Sequence, residues 1–316
     1  MRAACVSVDL DSLSHYCRIH GLDEALLDRR ARQLIYTVAL PRFFDLFSRL
    51  SIPFTLFAVG EDLQEPPAQA ALQSARSMDG EIGNHSFAHD YALASRASIA
   101  IGSDLAKAHQ AIAEATGTAP LGFRAPGYAL SPALYQAIAA QGYQYDSSVF
   151  PAVPYYLAKA VVMGTLAIRR QPSRAHLDTP RVLFAPARPY WPNPAQPYRR
   201  GPGAVLELPI ATAPWTRAPF IGTFALAFPR LVVEAAYRSM SRFEFFNFEL
   251  HAVDLLDAGD EIPAPLAKRQ RDLQVSWRKK KTRLEQILKR LKEDRELMTL
   301  AQAAARLAQR VPCSTA

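Results

Sequence analysis

The chain has 316 residues, of which 49% are hydrophobic and 21% are charged, and its formal net charge is +8. This composition is typical of a soluble globular protein and excludes the fibrous and intrinsically disordered classes. The length exceeds the usual size of one domain, but single α/β barrels reach about 250 residues and more, so we expect one elaborated domain. Three cysteines, Cys5, Cys17 and Cys313, stand at unrelated spacings and indicate neither a disulfide framework nor a cysteine metal cluster.

The first nine residues contain only a short apolar run and already have the pattern of a strand, so they do not match a signal peptide. We therefore expect a cytoplasmic protein, with peripheral contact at the inner face of an anionic membrane as a further expectation. Much of the positive charge lies between Trp277 and Lys292, where leucines recur at helical spacing. This pattern favours the solvated outer face of a C-terminal helix over a membrane or nucleic-acid patch, and nucleic acid is not an expected partner.

Short apolar strands alternate with helices along the first half of the chain. The predicted strands cover residues 3–9, 52–59, 81–84, 121–124 and 143–146, and the predicted helices cover about 23–50, 66–78, 98–116 and a segment from 131 to 142. Alternation of this kind predicts parallel strands joined by right-handed crossovers, and hence a barrel-like α/β fold.

The alternation stops between residues 150 and 203, a stretch rich in proline and aromatic residues that we interpret as an insertion. Its first part, Val153 to Ile168, is largely apolar, contains Lys159 and is shorter than the ~20 residues of a membrane span. A buried helix is favoured there over an interfacial one. Strand, helix and strand patterns resume at 205–210, 229–241 and 245–250, so we expect a barrel over 1–260 and a helical extension over 261–316.

Chemically versatile side chains fall at or just after the ends of the predicted strands: Asp9, Asp11, His85, His89, Arg124, Asp146 and His251. Because the carboxyl ends of parallel barrel strands meet on one face, these residues predict a single active site.

Two imidazoles, His85 and His89, stand four residues apart and can close on one metal ion. A catalytic zinc commonly takes three protein ligands, and Asp9 and Asp11 offer two carboxylates. One of them can bind the metal while the other removes a proton from water. The residues alone do not decide which.

Taken in order, five blocks of the chain resemble the polysaccharide deacetylase family, also called carbohydrate esterase family 4. The blocks are Asp9-Leu10-Asp11, His85-Ser86-Phe87-Ala88-His89, Arg124-Ala125-Pro126-Gly127-Tyr128, Asp146 and Glu249-Leu250-His251. The resemblance covers roughly residues 3 to 255 and implies a distorted (β/α)7-type barrel, here with the insertion and C-terminal helices.

The resemblance also implies a role for each matched residue. It implies a metal ion held by Asp11, His85 and His89, with Asp9 as general base and Arg124 as its partner. His251 would be the general acid, and Asp146 would hydrogen-bond either His251 or Arg124. Pro126, Gly127 and Tyr128 would contact the substrate, and a backbone N–H near Tyr128 would bind the oxyanion.

Three departures from the family pattern bear on these roles. Leu10 separates the two aspartates, so the roles of Asp9 and Asp11 could be exchanged, and Gly127 is an extra residue before Tyr128. The fourth block has Ser147 and Ser148 where polymer-acting members have a second Asp and a Trp, which argues against chitin or murein as the substrate.

The predicted function is metal-dependent hydrolysis of an N-acetyl or N-formyl amide on an amino sugar carried on a lipid or a nucleotide. The alternatives are an amidase for a small non-sugar amide or ureide, and a non-catalytic barrel that binds carbohydrate or lipid. The expected cofactor is one divalent metal ion, with zinc ahead of cobalt, nickel, manganese and iron.

Overall fold

Parallel strands form one curled sheet in the parts of the chain that the computed structural model describes, residues 2–168 and 176–311. The strands are β1 (Ala3–Asp9), β2 (Thr55–Ala58), β3 (Glu81–Asn84), β4 (Gly122–Phe123), β5 (Tyr145–Asp146), β6 (Pro192–Asn193), β7 (Gln196–Arg200), β8 (Leu206–Glu207), β9 (Phe245–His251) and β10 (Glu296–Leu297). Seven of these lie side by side in the order β8-β5-β4-β3-β2-β1-β9, every neighbouring pair parallel. The predicted α/β fold, a distorted barrel of the (β/α)7 type, is confirmed.

The helices cover the outside of this sheet. They are α1 (Leu13–Ile19), α2 (Arg29–Leu34), α3 (Leu40–Leu50), α4 (Pro66–Ser77), α5 (Ser98–Thr116), α6 (Pro132–Ala140), α7 (Val153–Ile168), α8 (Gly222–Ala227), α9 (Arg230–Ser239), α10 (Ala264–Arg269), α11 (Trp277–Asp294) and α12 (Leu300–Ala308). All seven residues of β1 are buried, as expected for a parallel strand with both faces covered.

Helix ends follow the local sequence signals. Gly117 ends α5 with a φ of 70°, in the left-handed region that glycine adopts without strain. The side chain of Ser131 accepts a hydrogen bond from the backbone N–H of Leu134 and so caps α6. The sequence predicted the bounds of α5 and the start of α6, which ends at Ala140, before the predicted end at Gly142.

Two early segments differ from the sequence prediction. The polar loop expected after β1 contains α1, whose Leu13, Tyr16 and Cys17 form a buried stripe at helical spacing. The single helix expected over 23–50 begins with a separate 3-10 turn at Glu24–Leu26 and then runs from α2 to α3 through a π-helical stretch at Ile35–Ala39.

The predicted insertion lies between two strands that pair directly with each other, β5 and β8. It contains α7, a 3-10 helix at Pro180–Phe184 and the β6–β7 hairpin, while residues 169–175 lie outside the described residues. The expectation that α7 is buried is wrong: Val161 is 68% exposed and Ile168 is 86% exposed. An apolar composition on all sides of a helix does not show which side the fold covers.

The C-terminal extension packs on the barrel and adds a strand to it. Leu284, Leu288 and Leu291 on the inner face of α11 are buried, and most of its basic residues face outward, as the sequence predicted. Lys280 is an exception, because it is buried and its Nζ donates to the carbonyl oxygens of Leu256 and Asp272. β10 pairs with β1, so the segment after residue 260 is not only helical. Among the described residues, no helix is long and apolar enough to cross a membrane.

Candidate metal centre and active site

The carboxyl ends of neighbouring strands bring the predicted site residues together. Asp9 ends β1 and lies opposite His251, the last residue of β9, in the strand register. His85 follows β3 directly, and Arg124 follows β4. The face of the sheet that the sequence predicted for chemistry is therefore the face where these side chains meet.

Asp11, His85 and His89 place three ligand atoms around one point. Oδ1 of Asp11 lies 3.3 Å from Nε2 of His85 and 3.0 Å from Nε2 of His89, and the two Nε2 atoms are 3.2 Å apart. Ligands about 2.0–2.2 Å from a tetrahedral zinc ion lie at separations of this size from one another. All three side chains are buried.

The donor chemistry of the three side chains also fits a cation. Nδ1 of His85 lies 2.7 Å from the carbonyl oxygen of Arg124, so Nδ1 carries an N–H and Nε2 is the atom that faces the other two ligands. Burial would lower the pKa of His85, but the carboxylates of Asp9 and Asp11 raise it above its ordinary value. Burial alone would raise the pKa of Asp11, but the imidazoles of His89 and His85 hold it well below its ordinary value, so the carboxylate is ionised. Burial lowers the pKa of His89, which favours the neutral ring that binds a metal.

Hydrogen bonds from outside the ligand set hold the loop that carries the two histidines. Oγ of Ser86 accepts from the backbone N–H of His89 at 3.0 Å. The carboxylate of Asp104, on α5, accepts from the backbone N–H groups of Phe87 at 2.8 Å and Ala88 at 3.2 Å. Ser86 and His89 have φ angles of 67° and 48°, a conformation unfavourable for non-glycine residues that these bonds sustain. Asp104 was not predicted, because nothing in α5 marks it apart from other exposed-face acids.

Asp9 lies beside the metal ligands and pairs with Arg124. Nη1 of Arg124 donates to Oδ1 of Asp9 at 2.6 Å, while Oδ2 of Asp9, 3.8 Å from Nε2 of His85, has no hydrogen-bond partner among the described residues. Burial raises the pKa of Asp9, and the neighbouring guanidinium and imidazole oppose that rise. Arg124 is itself fixed by Ser7 and Ser147 and lies over the ring of Phe57.

His251 also lies beside the three candidate ligands, with Nε2 4.0 Å from Oδ2 of Asp11. Its Nδ1 contacts Oε1 of Glu249 at 2.9 Å, and Glu249 is fully buried. Burial would lower the pKa of His251, but the Glu249 carboxylate raises it well above the ordinary value, so the ring carries a proton. The hydroxyl of Tyr128 lies 3.1 Å from Oε1 of Glu249 and 3.3 Å from Nε2 of His251.

Glu249 is a site residue that sequence reasoning treated as structural. Side chains two positions apart on a strand point to the same face, so its position before His251 was a usable signal.

Asp146 is not within hydrogen-bonding distance of either partner that the sequence proposed for it. Oδ1 of Asp146 accepts from Oγ of Ser148 at 2.5 Å, and Ser148 in turn accepts from the backbone N–H of Ala125 at 2.8 Å. The side chain of Glu207 shares a hydrogen bond with Asp146, and burial raises the pKa of Asp146 to about 6. Asp146 therefore reaches the Arg124 loop through Ser148, and its role in catalysis stays a prediction.

The turn at Pro126–Tyr128 borders the site, but not as predicted in every detail. Gly127 and Tyr128 have φ angles of 64° and 66°, and a Cβ on Gly127 would lie 2.7 Å from the ring of Tyr91. The backbone N–H of Tyr128 donates to the carbonyl oxygen of Ala125 at 3.1 Å, so in this conformation it is not free to bind an oxyanion. Tyr128 faces the site with its hydroxyl instead.

His15 and Tyr91 complete the wall around His89. The ring of His15 stacks on His89 with centroids 4.2 Å apart, and Tyr91 meets His89 edge-on at 4.9 Å. His15 was missed because the sequence prediction had a loop where α1 lies.

Comparison with known proteins finds a likeness to one family. A family model described as polysaccharide deacetylase matches residues 34–145, which include the His85–His89 block and Arg124. This part of the chain is therefore similar to the polysaccharide deacetylases. The chain is 26% identical over 152 residues to a peptidoglycan deacetylase of Helicobacter pylori, an alignment that covers 48% of this chain and 51% of that protein. The chain thus matches about half the length of this curated relative.

Solved structures share the fold over almost the whole chain. A Mycobacterium smegmatis protein assigned to the polysaccharide deacetylases superposes with a TM-score of 0.61 at 16% identity, covering 99% of this chain and 93% of the other. Puue allantoinase superposes with a TM-score of 0.59 at 14% identity, covering 99% and 92%. At such identities the likeness establishes the fold and nothing about the substrate.

Proposed function

We propose that this chain is a member of the polysaccharide deacetylase family, a metal-dependent deacylase that hydrolyses the N-acetyl or N-formyl amide of an amino sugar. The observation that carries the proposal is that Asp9 and His251 both lie beside the Asp11, His85 and His89 ligand atoms. Amide hydrolysis needs a base for the attacking water and an acid for the departing amine, and this arrangement offers both.

Asp11, His85 and His89 would hold one divalent metal ion. When bound, such an ion polarises the amide carbonyl and lowers the pKa of water. Zinc is the expected ion, and cobalt, nickel, manganese and iron suit the same ligands.

The other side chains supply proton transfer and orientation. Asp9 takes a proton from the attacking water with Oδ2, while Arg124 holds Oδ1 and keeps the carboxylate oriented. As the water oxygen bonds to the carbonyl carbon and the C–N bond breaks, His251 donates its proton from Nε2 to the amine nitrogen. The Glu249 carboxylate keeps His251 protonated and fixes its ring.

Release of amine from N-acetyl and N-formyl amino sugars would test the proposal. We expect turnover by the metal-loaded chain, loss of turnover in His251→Ala, and retention in His20→Ala, a histidine that instead contacts Gln270. Turnover that survives His251→Ala and Asp9→Asn would contradict the mechanism.

The second candidate is hydrolysis of a small non-sugar amide or ureide. It is favoured by the fourth block, where Ser147 and Ser148 replace the residues of polymer-acting members. The same assay with allantoin and simple amides distinguishes this function from hydrolysis of an amino-sugar amide. Turnover of allantoin alone would favour hydrolysis of a ureide.

Cytoplasmic location and peripheral contact with an anionic membrane remain predictions. The basic helix α11 is poorly suited to such contact, since Lys281, Lys289 and Arg290 form ion pairs with neighbouring acids.

A further inference from the structure

Large apolar side chains are exposed on the insertion and on the loop after β8. They are Leu157, Val161, Val162 and Ile168 on α7, Phe184, and Trp215, a set that we call the apolar rim. Trp215 is 98% exposed and Phe184 is 85% exposed, so neither side chain contributes to the core. Exposed clusters of this kind mark surfaces that meet a partner or a membrane.

The apolar rim lies next to the active site. On the inner side of α7, the ring of Tyr155 packs 5.0 Å from Phe150 and 6.1 Å from Tyr128, centroid to centroid. Tyr128 in turn contacts His251. The helix therefore has one side against the catalytic residues and the other side in solvent.

Two contacts connect the members of the rim. Val182, two residues before Phe184, lines a small cavity together with Tyr155 and Tyr156 of α7. Nη1 of Arg217, two residues after Trp215, donates to the carbonyl oxygen of Ala185 at 3.1 Å. The exposed side chains of α7, of the 3-10 helix that ends at Phe184 and of the loop that contains Trp215 thus belong to one region around the site.

This region of the chain is basic. The described residues between 150 and 233 include seven lysines and arginines but only two acids, Asp178 and Glu207. Glu207 is buried, and Asp178 accepts a hydrogen bond from Tyr198. The outward charge is therefore positive, which repels a second copy of the chain and attracts an anionic surface.

We propose that the apolar rim docks on an anionic lipid bilayer, with Trp215, Phe184 and the outer face of α7 in the interfacial layer. Tryptophan and aliphatic side chains surrounded by basic residues suit this layer, because apolar burial and attraction to anionic lipids add. Docking in this orientation brings the active site to the headgroups. Together with the proposed function, on which this second step rests, it assigns the substrate to amino sugars carried on a lipid.

Sedimentation with vesicles tests the docking without any assay of activity. We expect the chain to bind vesicles that contain phosphatidylglycerol, to bind phosphatidylcholine vesicles weakly, and to dissociate at high salt. Val161→Asp combined with Phe184→Ser and Trp215→Ser should weaken binding at least about tenfold. Ile99→Asp, at an apolar residue of α5 that is 89% exposed, is the matched control and should bind as the wild type does.

Distinct outcomes separate the docking from the proposed function. Binding by His85→Ala, with no turnover of any sugar by the wild type, would support the docking and contradict the function. Turnover of soluble amino sugars without vesicle binding would overturn the docking, as would equal loss of binding in the triple variant and in Ile99→Asp. Dimerisation that disappears in the triple variant would assign the rim to a second copy and also overturn the docking.

Discussion

Nη1 of Arg124 donates to Oδ1 of Asp9 at 2.6 Å, and both side chains are fully buried. This ion pair distinguishes Asp9 from Asp11. Oδ1 of Asp11 lies nearer to the imidazoles of His85 and His89 than the carboxylate of Asp9 does. The geometry supports Asp9 as the base and Asp11 as the metal ligand, the assignment that the sequence left open to exchange.

Asparagine at each aspartate position tests that assignment. Asp9→Asn keeps an oxygen for Arg124 but removes the base, so we expect kcat/KM to fall about 10²–10⁴-fold while the metal stays bound. Asp11→Asn should lose the metal. Measurement of metal content and turnover for both variants decides the question, and the opposite pattern would mean that the roles are exchanged.

Replacement of Glu249 by glutamine tests whether this residue sets the protonation of His251. The carboxylate raises the pKa of His251, so its removal should lower that pKa and move the basic limb of the kcat/KM profile to lower pH. Glu249→Asp should restore part of the wild-type profile. A uniform fall in activity at every pH, with the limb unmoved, would indicate a structural role only.

The buried carboxyl pair of Asp146 and Glu207 should make stability depend on pH. Burial and the neighbouring Asp146 raise the pKa of Glu207 well above 4.5 in the folded chain. An acid that holds its proton more tightly when folded stabilises the fold below its unfolded pKa and loses that contribution as pH rises through the folded pKa. The free energy of unfolding should therefore fall as the pH rises above about 4.5.

Glu207→Gln should gain stability relative to the wild type as pH rises above that value, because the amide can donate to Asp146 and carries no charge. Denaturant unfolding at pH 5 and pH 8 measures the change, with the exposed Glu293→Gln as control. A difference from the wild type that is the same at both pH values would exclude proton sharing by the pair.

Asp104 should matter for metal affinity although it lies outside the ligand set. Asp104→Ala removes the acceptor for the N–H groups of Phe87 and Ala88 and loosens the loop between His85 and His89. We expect affinity for zinc to fall about 10–100-fold. Competition with a chelator measures this, and unchanged affinity would show that Ser86 and Asn84 are enough to hold the loop.

The sequence predicted which side chains meet at the strand ends, because short motifs at those ends constrain them. Asp9, Asp11, His85 and His89 each lie next to an apolar strand, and parallel strands bring their ends together. The partners of His251 and Asp146 were harder to predict, since they depend on side-chain packing between strands. Glu207 has the pattern of an ordinary strand residue until the sheet is assembled, and Glu249 is marked only by its place two residues before His251 on the same strand.

The exposure of α7 also could not be predicted from its residues. Leu157, Val161 and Val162 would suit a buried helix equally well, and only the packing of Tyr155 toward Tyr128 shows which side faces inward. The loop predicted after β1 is a different case, because Leu13, Tyr16 and Cys17 have the spacing of an amphipathic helix.

The most direct test of the account is the metal content of the purified chain after exposure to zinc and removal of free metal. We predict about one zinc ion per chain in the wild type and in His20→Ala, and almost none in His89→Ala or Asp11→Ala. Zinc that is absent from the wild type, or that remains in both ligand variants, would contradict the proposed metal centre.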